Sequence, residues 1–394
     1  MNYGHNNPLL KHSLVDYIQN DGITHSLDLH TSSKEAFLQT FDDIILKPRG
    51  LDYVAQFTGP TGTNAVEAAL KIARKVTGRS NVIYFTNGFH GVSMGGLSVT
   101  GNKYLRHASG VSMGGTTPMP FDSYLGDDLD TLSYLDQVLN DPSSGVDEPA
   151  AIILETVQGE GGLNVASVAW LQRLQALCNE RNIMLIVDDI QAGCGRTGTF
   201  FSFENAGLNP DIVTLSKSLS GYGLPFSVVL IKRSLDKWDP GEHNGTFRGN
   251  NHAFITSKAM LENYWADDTF AQSIAERSQY LEERLQTIVE QFPPHLGDVR
   301  GRGFMRGFHC ADTQAAQAIA AKSFDKGLIL ERCGPLDEVV KCMMPLTTPM
   351  DLLVEGLDVL KEAVMDVLAA DDLEISSGSR MNQAYSADSI QEIH

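Results

Sequence analysis

No stretch of the 394-residue chain approaches the roughly 20 consecutive apolar residues that span a bilayer. The opening run, MNYGHNNPLLKH, lacks the apolar core of a secretory signal. Basic residues are scarce beside acidic ones, 30 against 49, which gives a formal net charge of −19. So acidic a surface argues against nucleic acid and against anionic membranes as partners, and favours solubility at high ionic strength. Cysteine is sparse. Cys178, Cys194, Cys310, Cys333 and Cys342 are scattered and show no metal-ligand spacing. The expectation is reduced thiols in a cytoplasmic protein with no metal site. No internal repeat is visible.

What is present is a regular alternation. Residues 82–85, 151–154, 184–187, 212–215 and 227–231 are short aliphatic or β-branched runs bounded by turn or polar residues, the pattern of buried strands. Amphipathic stretches lie between them. One covers 64–77 and stops at Gly78; another covers 167–181 and opens on Ser167 as an N-cap. Strands alternating with helices predict a mostly parallel α/β sheet with right-handed crossovers. Beyond about residue 255 the pattern changes. One long helix is expected over 253–292, stopped by Pro293 and Pro294. A glycine-rich run follows at 299–308, then a helix near 313–326 and a last helix near 350–368. The chain is too long for one ordinary core. The expected division is an N-terminal segment 1–35, a large domain 36–255, a smaller α+β domain 256–370 and a disordered polar tail 371–394.

Five segments carry candidate chemistry. LIVDDIQAGCGRTG sets Asp188 and Asp189 at the end of an apolar strand. A carboxylate at the C-terminal end of a parallel strand faces the crevice where α/β proteins bind ligands. Asp188 directly follows the apolar run and is expected to be the more buried. It needs a partner, either the next loop or a protonated ring nitrogen. In PDIVTLSKSLSGYGLP, Lys217 follows a second apolar strand. Desolvation there would lower its pKa and favour imine chemistry, although a surface lysine fits the same pattern. TGPTGTNAVEAALKIARK is a Gly/Thr turn running into a helix. Gly62, Thr63 and Asn64 would present backbone N–H groups to an anion, and the absence of Gly-Lys-Ser/Thr excludes a Walker loop. FTNGFHGVSMGG offers Phe89 to stack on a ring and His90 to position it, or an aromatic packed under a loop. ILETVQGEGG ends a strand with Glu155 and Glu160, of which Glu155 reads equally well as a buried structural acceptor.

Taken in order, GTNAVEAALK, FHG, ETVQGEGG, VDDIQAGCGRTG, LSKSLSGYGLP and GTFRGN make the chain resemble the class III (ω-amino acid) aminotransferases of PLP fold type I, over about residues 3–368. The resemblance implies pyridoxal 5'-phosphate (PLP) as cofactor and small amino and keto acids as partners. It implies a large domain with a mostly parallel seven-stranded sheet flanked by helices, and a smaller α+β C-terminal domain. Gly62 and Thr63 would then bind the phosphate. Phe89 would stack on the ring with His90 beside it, Asp188 would pair with the ring nitrogen, and Gln191 would contact the phenolic oxygen. Lys217 would attach the cofactor and shuttle the proton. Thr246 would reach the phosphate of a neighbouring subunit's cofactor, which makes the active unit a homodimer or larger.

Glu160 matches the carboxylate that, in related enzymes, pairs with an arginine and switches between substrates. Ornithine and 4-aminobutyrate enzymes usually carry an arginine near the end of the small domain, in a pattern like I-R-x-x-P-P-L. Here the run is VVKCMMPLT, with Lys341 in that place as a candidate substrate-binding residue. Val92 also stands where 4-aminobutyrate enzymes place an arginine. The set NYGHNNP, NGFHGVSMGGLSVTGN, ERCGP and MPLT is similar to the diaminobutyrate–2-oxoglutarate transaminases of ectoine biosynthesis. That resemblance implies amino transfer from L-glutamate to L-aspartate 4-semialdehyde. Three alternatives stay open: another ω-transaminase (ornithine, acetylornithine or 4-aminobutyrate), a 2,1-aminomutase, and a catalytically impaired homologue. The last arises because members of that family carry some tens of residues ahead of NYGHNNP, where this sequence has Met1 alone. Asp189 stands where they more often have Glu.

Overall fold

The computed structural model describes residues 1–126 and 128–387. Seven strands form one sheet: β1 (Tyr53–Phe57), β2 (Val82–Phe85), β3 (Thr116–Met119), β4 (Ala151–Leu154), β5 (Met184–Asp188), β6 (Ile212–Leu215) and β7 (Val228–Lys232). Their order is β1-β7-β6-β5-β4-β2-β3. Pairs from β3 through β6 are parallel, and β7 runs against both its neighbours. Strands β2, β4 and β6 are buried along their whole length, which is why they read as continuous apolar runs. The strands not foreseen, β1 and β3, are the two edges. They bury only some of their residues and β3 contains Pro118, so the apolar signal is diluted.

Helices cover both faces of the sheet. The helix Gly62–Thr77 buries Val66, Ala69, Leu70 and Ala73, at three- and four-residue spacing, in a cluster with Ile153, Ile186 and Ile231. It stops at Gly78, whose φ of +68° suits glycine. On the opposite face, Val168–Arg181 sets Leu171, Leu174 and Cys178 in a cluster with Leu185 and Val187. Ser167 caps it by accepting from Trp170 N at 3.3 Å.

The region beyond residue 250 departs from expectation in three places. The stretch 253–292 is two helices, Asn251–Tyr264 and Thr269–Val289. The break comes where buried Trp265 donates to Tyr3 Oη at 2.9 Å and the Asp267 carboxylate caps Thr269 N at 2.9 Å. The glycine-rich run belongs to a hairpin of β8 (Leu296–Arg302) and β9 (Met305–Cys310). With β10 (Glu331–Cys333) and β11 (Val339–Cys342), it makes an antiparallel sheet ordered β10-β11-β9-β8. Gly303 turns the hairpin at φ +65°, where a Cβ would lie 2.6 Å from the Thr197 carbonyl carbon. The last helix, Met350–Ala387, runs past residue 371 into the segment expected to be disordered; no proline interrupts it. Residues 388–394 of that expected tail lie outside the described residues. Among the described residues no helix is long and apolar enough to cross a membrane.

Candidate active site

Strands β2, β4, β5 and β6 are parallel, so their C-terminal ends share one edge of the sheet. Each end delivers a side chain there. Asp188 closes β5, Glu155 follows β4, Lys217 follows β6, and Phe89 and His90 lie in the loop after β2. A cavity of about 240 Å³ opens at this edge, and Gly62, Thr63, Phe89, His90, Glu155, Glu160, Asp188, Gln191 and Lys217 all border it. Residues separated by up to 155 positions in sequence are thus brought together, as the crevice argument requires.

Asp188 is held on both oxygens. Oδ2 lies 2.7 Å from His90 Nδ1, while Oδ1 accepts from Thr214 Oγ1 at 2.9 Å and from Ile190 N at 3.2 Å. Thr214 was not foreseen. A lone hydroxyl in the apolar strand IVTL was the signal for it, since a buried polar side chain needs a partner. His90 is buried and its Nε2 has no protein partner among the described residues. The expectation that Asp188 would be the more buried aspartate is wrong: Asp188 is 3% exposed and Asp189 1%. Asp189 accepts from Ser202 N at 2.9 Å and does not border the cavity. Successive side chains at a strand end point to opposite sides, so both can be covered.

Burial pushes the Asp189 carboxyl up to about 7, against the opposing pull of Ser202 and Arg302. A carboxyl whose folded pKa is raised binds its proton more tightly in the folded state. It therefore costs stability as pH rises from the ordinary aspartate range through about 7. Asp189→Asn removes that cost. The variant should melt several degrees above the parent at pH 8 and show a much smaller difference at pH 4, in thermal unfolding of the cofactor-free protein. An equal shift at both values would contradict a titrating Asp189.

Glu155 joins two loops. Its Oε2 accepts from Phe89 N at 2.9 Å and its Oε1 from Gly159 N at 3.1 Å. Burial pushes its carboxyl up to about 7, against the lowering pull of His90 and the two backbone donors. Both of its sequence readings are thus compatible with its place: it is a buried acceptor and it borders the cavity.

Lys217 has φ +45°, in the left-handed region that non-glycine residues seldom occupy. Its surface is open because it lines both the 240 Å³ cavity and an adjoining one of about 750 Å³. It is not on the outer face. Burial holds its ammonium below the ordinary lysine range, against the pull of Glu160, Glu155 and Asp188.

Gly62 starts the helix whose N-terminus meets the cavity, with Thr63 Oγ1 bonded to Ser93 Oγ at 2.6 Å. A Cβ on Gly91 would come within 2.4 Å of Thr63 Oγ1, so the backbone packs too closely for a side chain there. Asn64 uses its Oδ1 on Thr61 Oγ1 at 2.7 Å, within the turn. Gln191 Nε2 donates to Glu160 Oε1 at 2.8 Å, and its Oε1 has no protein partner among the described residues. Glu160 also meets Lys341 Nζ at 3.1 Å. Burial would raise the Glu160 carboxyl, but Lys341 and Gln191 outweigh it and hold it below its ordinary value. Lys341 is 1% exposed, and its ammonium is held above the usual range because Glu160 and Glu331 outweigh its burial. Thr246, also expected at the site, does not border the cavity. It is exposed on the short turn Thr246–Arg248, where Arg248 Nε donates to Asp28 Oδ1 at 2.7 Å.

Comparison with known proteins gives the same frame. The family described as Aminotransferase class-III matches residues 1–364. The chain is 56% identical over 366 residues to the diaminobutyrate–2-oxoglutarate transaminase of Vibrio cholerae, covering 93% of this chain and 89% of that one. It is 54% identical over 370 residues to the enzyme of the same name from Bordetella parapertussis, covering 94% and 85%. Among solved structures, the ornithine aminotransferase from Toxoplasma gondii, with PLP at partial occupancy in its active site, superposes with a TM-score of 0.79 at 25% identity. The match covers 93% of this chain and 84% of that one. The fold is that of the PLP-type aminotransferases, as the sequence led us to expect.

Proposed function

The chain belongs to the class III aminotransferases, and on that premise we propose that it moves the amino group of L-glutamate to L-aspartate 4-semialdehyde, giving 2-oxoglutarate and L-2,4-diaminobutyrate. The observation that carries this reading is the 54–56% identity, over nearly the whole chain, to relatives named for that reaction. It favours diaminobutyrate over ornithine, acetylornithine or 4-aminobutyrate. All five cysteines are free and buried, which supports residence in the reducing cytoplasm.

The cavity fits PLP. Two of its bordering side chains, His90 and Gln191, keep a buried polar atom without a protein partner among the described residues. A helix N-terminus at Gly62 suits a phosphate. PLP bound there would act as an electron sink for the carbanion formed at the substrate carbon. Gly62 and Thr63 would hold its phosphate, Phe89 would cover its ring, and Gln191 would reach its phenolic oxygen. Asp188, fixed by His90, Thr214 and the Ile190 N–H, would keep a proton on the ring nitrogen. Lys217 is the attachment point. With its pKa lowered by burial, its amine would take the substrate's α-proton and return it across the imine nitrogen. Lys341 offers a substrate carboxylate a cation, and Glu160 balances that charge when no carboxylate is present. Thr246 completes the phosphate site of a second copy, so the working unit is at least a homodimer.

The test is amine-donor profiling of the PLP-loaded protein with 2-oxoglutarate as acceptor, reading glutamate formed. Diaminobutyrate should exceed ornithine and 4-aminobutyrate by about tenfold or more in kcat/KM, the scale on which pocket contacts discriminate. A preference for ornithine or 4-aminobutyrate would replace the substrate. Glutamate from no donor would point to an impaired homologue.

A further inference from the structure

The proposed reaction makes an unusual demand on one pocket. The two co-substrates differ at the end remote from the reacting carbon. In 2-oxoglutarate that end is a carboxylate alone. In diaminobutyrate, which reacts at its fourth carbon, it is a carboxylate and an ammonium on the same carbon. A cation by itself cannot tell these apart in favour of the amino acid. A cation beside a free carboxylate can.

The 750 Å³ cavity that Lys217 lines also has Arg196, Lys341 and Glu331 on its wall. Arg196 is committed elsewhere. Its Nε and Nη2 donate to Asn2 Oδ1 at 3.1 and 2.7 Å, and its Nη1 donates to the carbonyls of Phe304 and Met344 at 3.1 and 2.6 Å. Lys341 and Glu331 stand directly opposite one another in the antiparallel register of β10 and β11. Side chains at opposed positions share a face of the sheet. The Lys341 ammonium lies 3.1 Å from Glu160 Oε1 and 3.4 Å from Glu331 Oε2. Two carboxylates therefore address one ammonium. Glu160 takes further support from Gln191, whereas Glu331 has a side chain 68% exposed beside a lysine that is 1% exposed. Glu331 thus keeps charge to offer a ligand, and it is placed one ion pair away from the group that would take the ligand's carboxylate.

Resting on the substrate reading above, we propose that Glu331 determines specificity: its carboxylate receives the α-ammonium of the amino acid while Lys341 receives the α-carboxylate on the same carbon. The dicarboxylic co-substrate uses Lys341 without help from Glu331, whose negative charge opposes it.

Glu331→Gln removes the charge and keeps the size. With diaminobutyrate and 2-oxoglutarate as the pair, one assay of the PLP-loaded enzyme yields kcat/KM for both. The value for diaminobutyrate should fall by about 10- to 100-fold, the range for a hydrogen bond between charged groups. The value for 2-oxoglutarate should stay level or rise. Glu331→Asp, which restores the charge on a shorter arm, should recover part of the loss. Equal losses for both co-substrates, or no loss for either, would overturn the proposal, because a merely structural Glu331 has no reason to distinguish them. If the parent enzyme takes ornithine and not diaminobutyrate, the substrate reading fails. The same ratio with ornithine, which carries the same α-ammonium and α-carboxylate, then still decides the role of Glu331. Should the parent show no turnover, calorimetric binding of diaminobutyrate and of glutarate to parent and variant reads the same split.

Discussion

Lys217→Ala should eliminate transamination, with a loss of about 10⁴-fold or more, because on the proposed function it removes an attachment point and a proton carrier in one substitution. Among the described residues no other basic side chain borders the 240 Å³ cavity with Lys217 apart from His90, and His90 Nδ1 is already tied to Asp188 at 2.7 Å. The fold should survive. Lys217 already occupies the left-handed region at φ +45°, so alanine inherits a strain the backbone bears now. Removing a desolvated ammonium also relieves the burial that lowers its pKa. The phosphate turn at Gly62 and the Asp188 cluster are untouched, so PLP should still bind, though non-covalently and removable by dialysis. The paired measurements are steady-state turnover and retention of cofactor after gel filtration. Turnover within tenfold of the parent would remove Lys217 from the chemistry. Loss of all PLP binding together with a lowered melting temperature would mean that the substitution acted through the fold.

The placement of Lys217 and Asp188 at the cavity was legible in the sequence for the same physical reason. Each follows a run of apolar residues that is buried from both sides of a parallel sheet, and such runs are continuous in sequence. The edge strands β1 and β3 bury only part of their residues, and nothing in YVAQF or TTPM separates them from loop. Contacts made across strand registers were hidden altogether. Glu331 opposes Lys341 because β10 and β11 pair with a particular register, and that register depends on the turn between them and on β9 beyond. The relative burial of Asp188 and Asp189 failed for a related reason. Position at the end of a strand tells which residue follows the apolar run, not what the next loops lay over it. Here Ser202 and Arg302 come from later in the chain to cover Asp189. The break at Trp265 depends on Tyr3, more than two hundred residues away, and a helical periodicity read locally passes straight over it.

Asp188→Asn tests the other half of the site, and geometry shows why an isosteric change should be severe. Oδ1 of Asp188 accepts from Thr214 Oγ1 and Ile190 N, so the amide oxygen of asparagine must take that position to keep both donors satisfied. The amide nitrogen then replaces Oδ2, 2.7 Å from His90 Nδ1. A donor would then face the imidazole, where a carboxylate had stood, and would also be offered to the ring nitrogen of bound PLP. His90 can accept only by moving its proton to Nε2, which among the described residues has no protein partner to receive it. The ring nitrogen can meet the amide only when unprotonated, and an unprotonated ring is a poor electron sink. Proton transfer at the substrate carbon should slow by about 10²- to 10⁴-fold, appearing in kcat with little change in KM. It should become rate-limiting, so glutamate deuterated at its α-carbon should show a primary isotope effect in the variant. Asp189→Asn is the control, since it makes the same chemical change one residue away in a carboxylate that is also buried but does not border the cavity. Its kcat should stay within a few-fold of the parent. If the two variants lose activity equally, burial and not contact with the ring explains the loss. If neither loses it, the ring partner is another group, and Glu155 on the same cavity is the remaining buried carboxyl to replace.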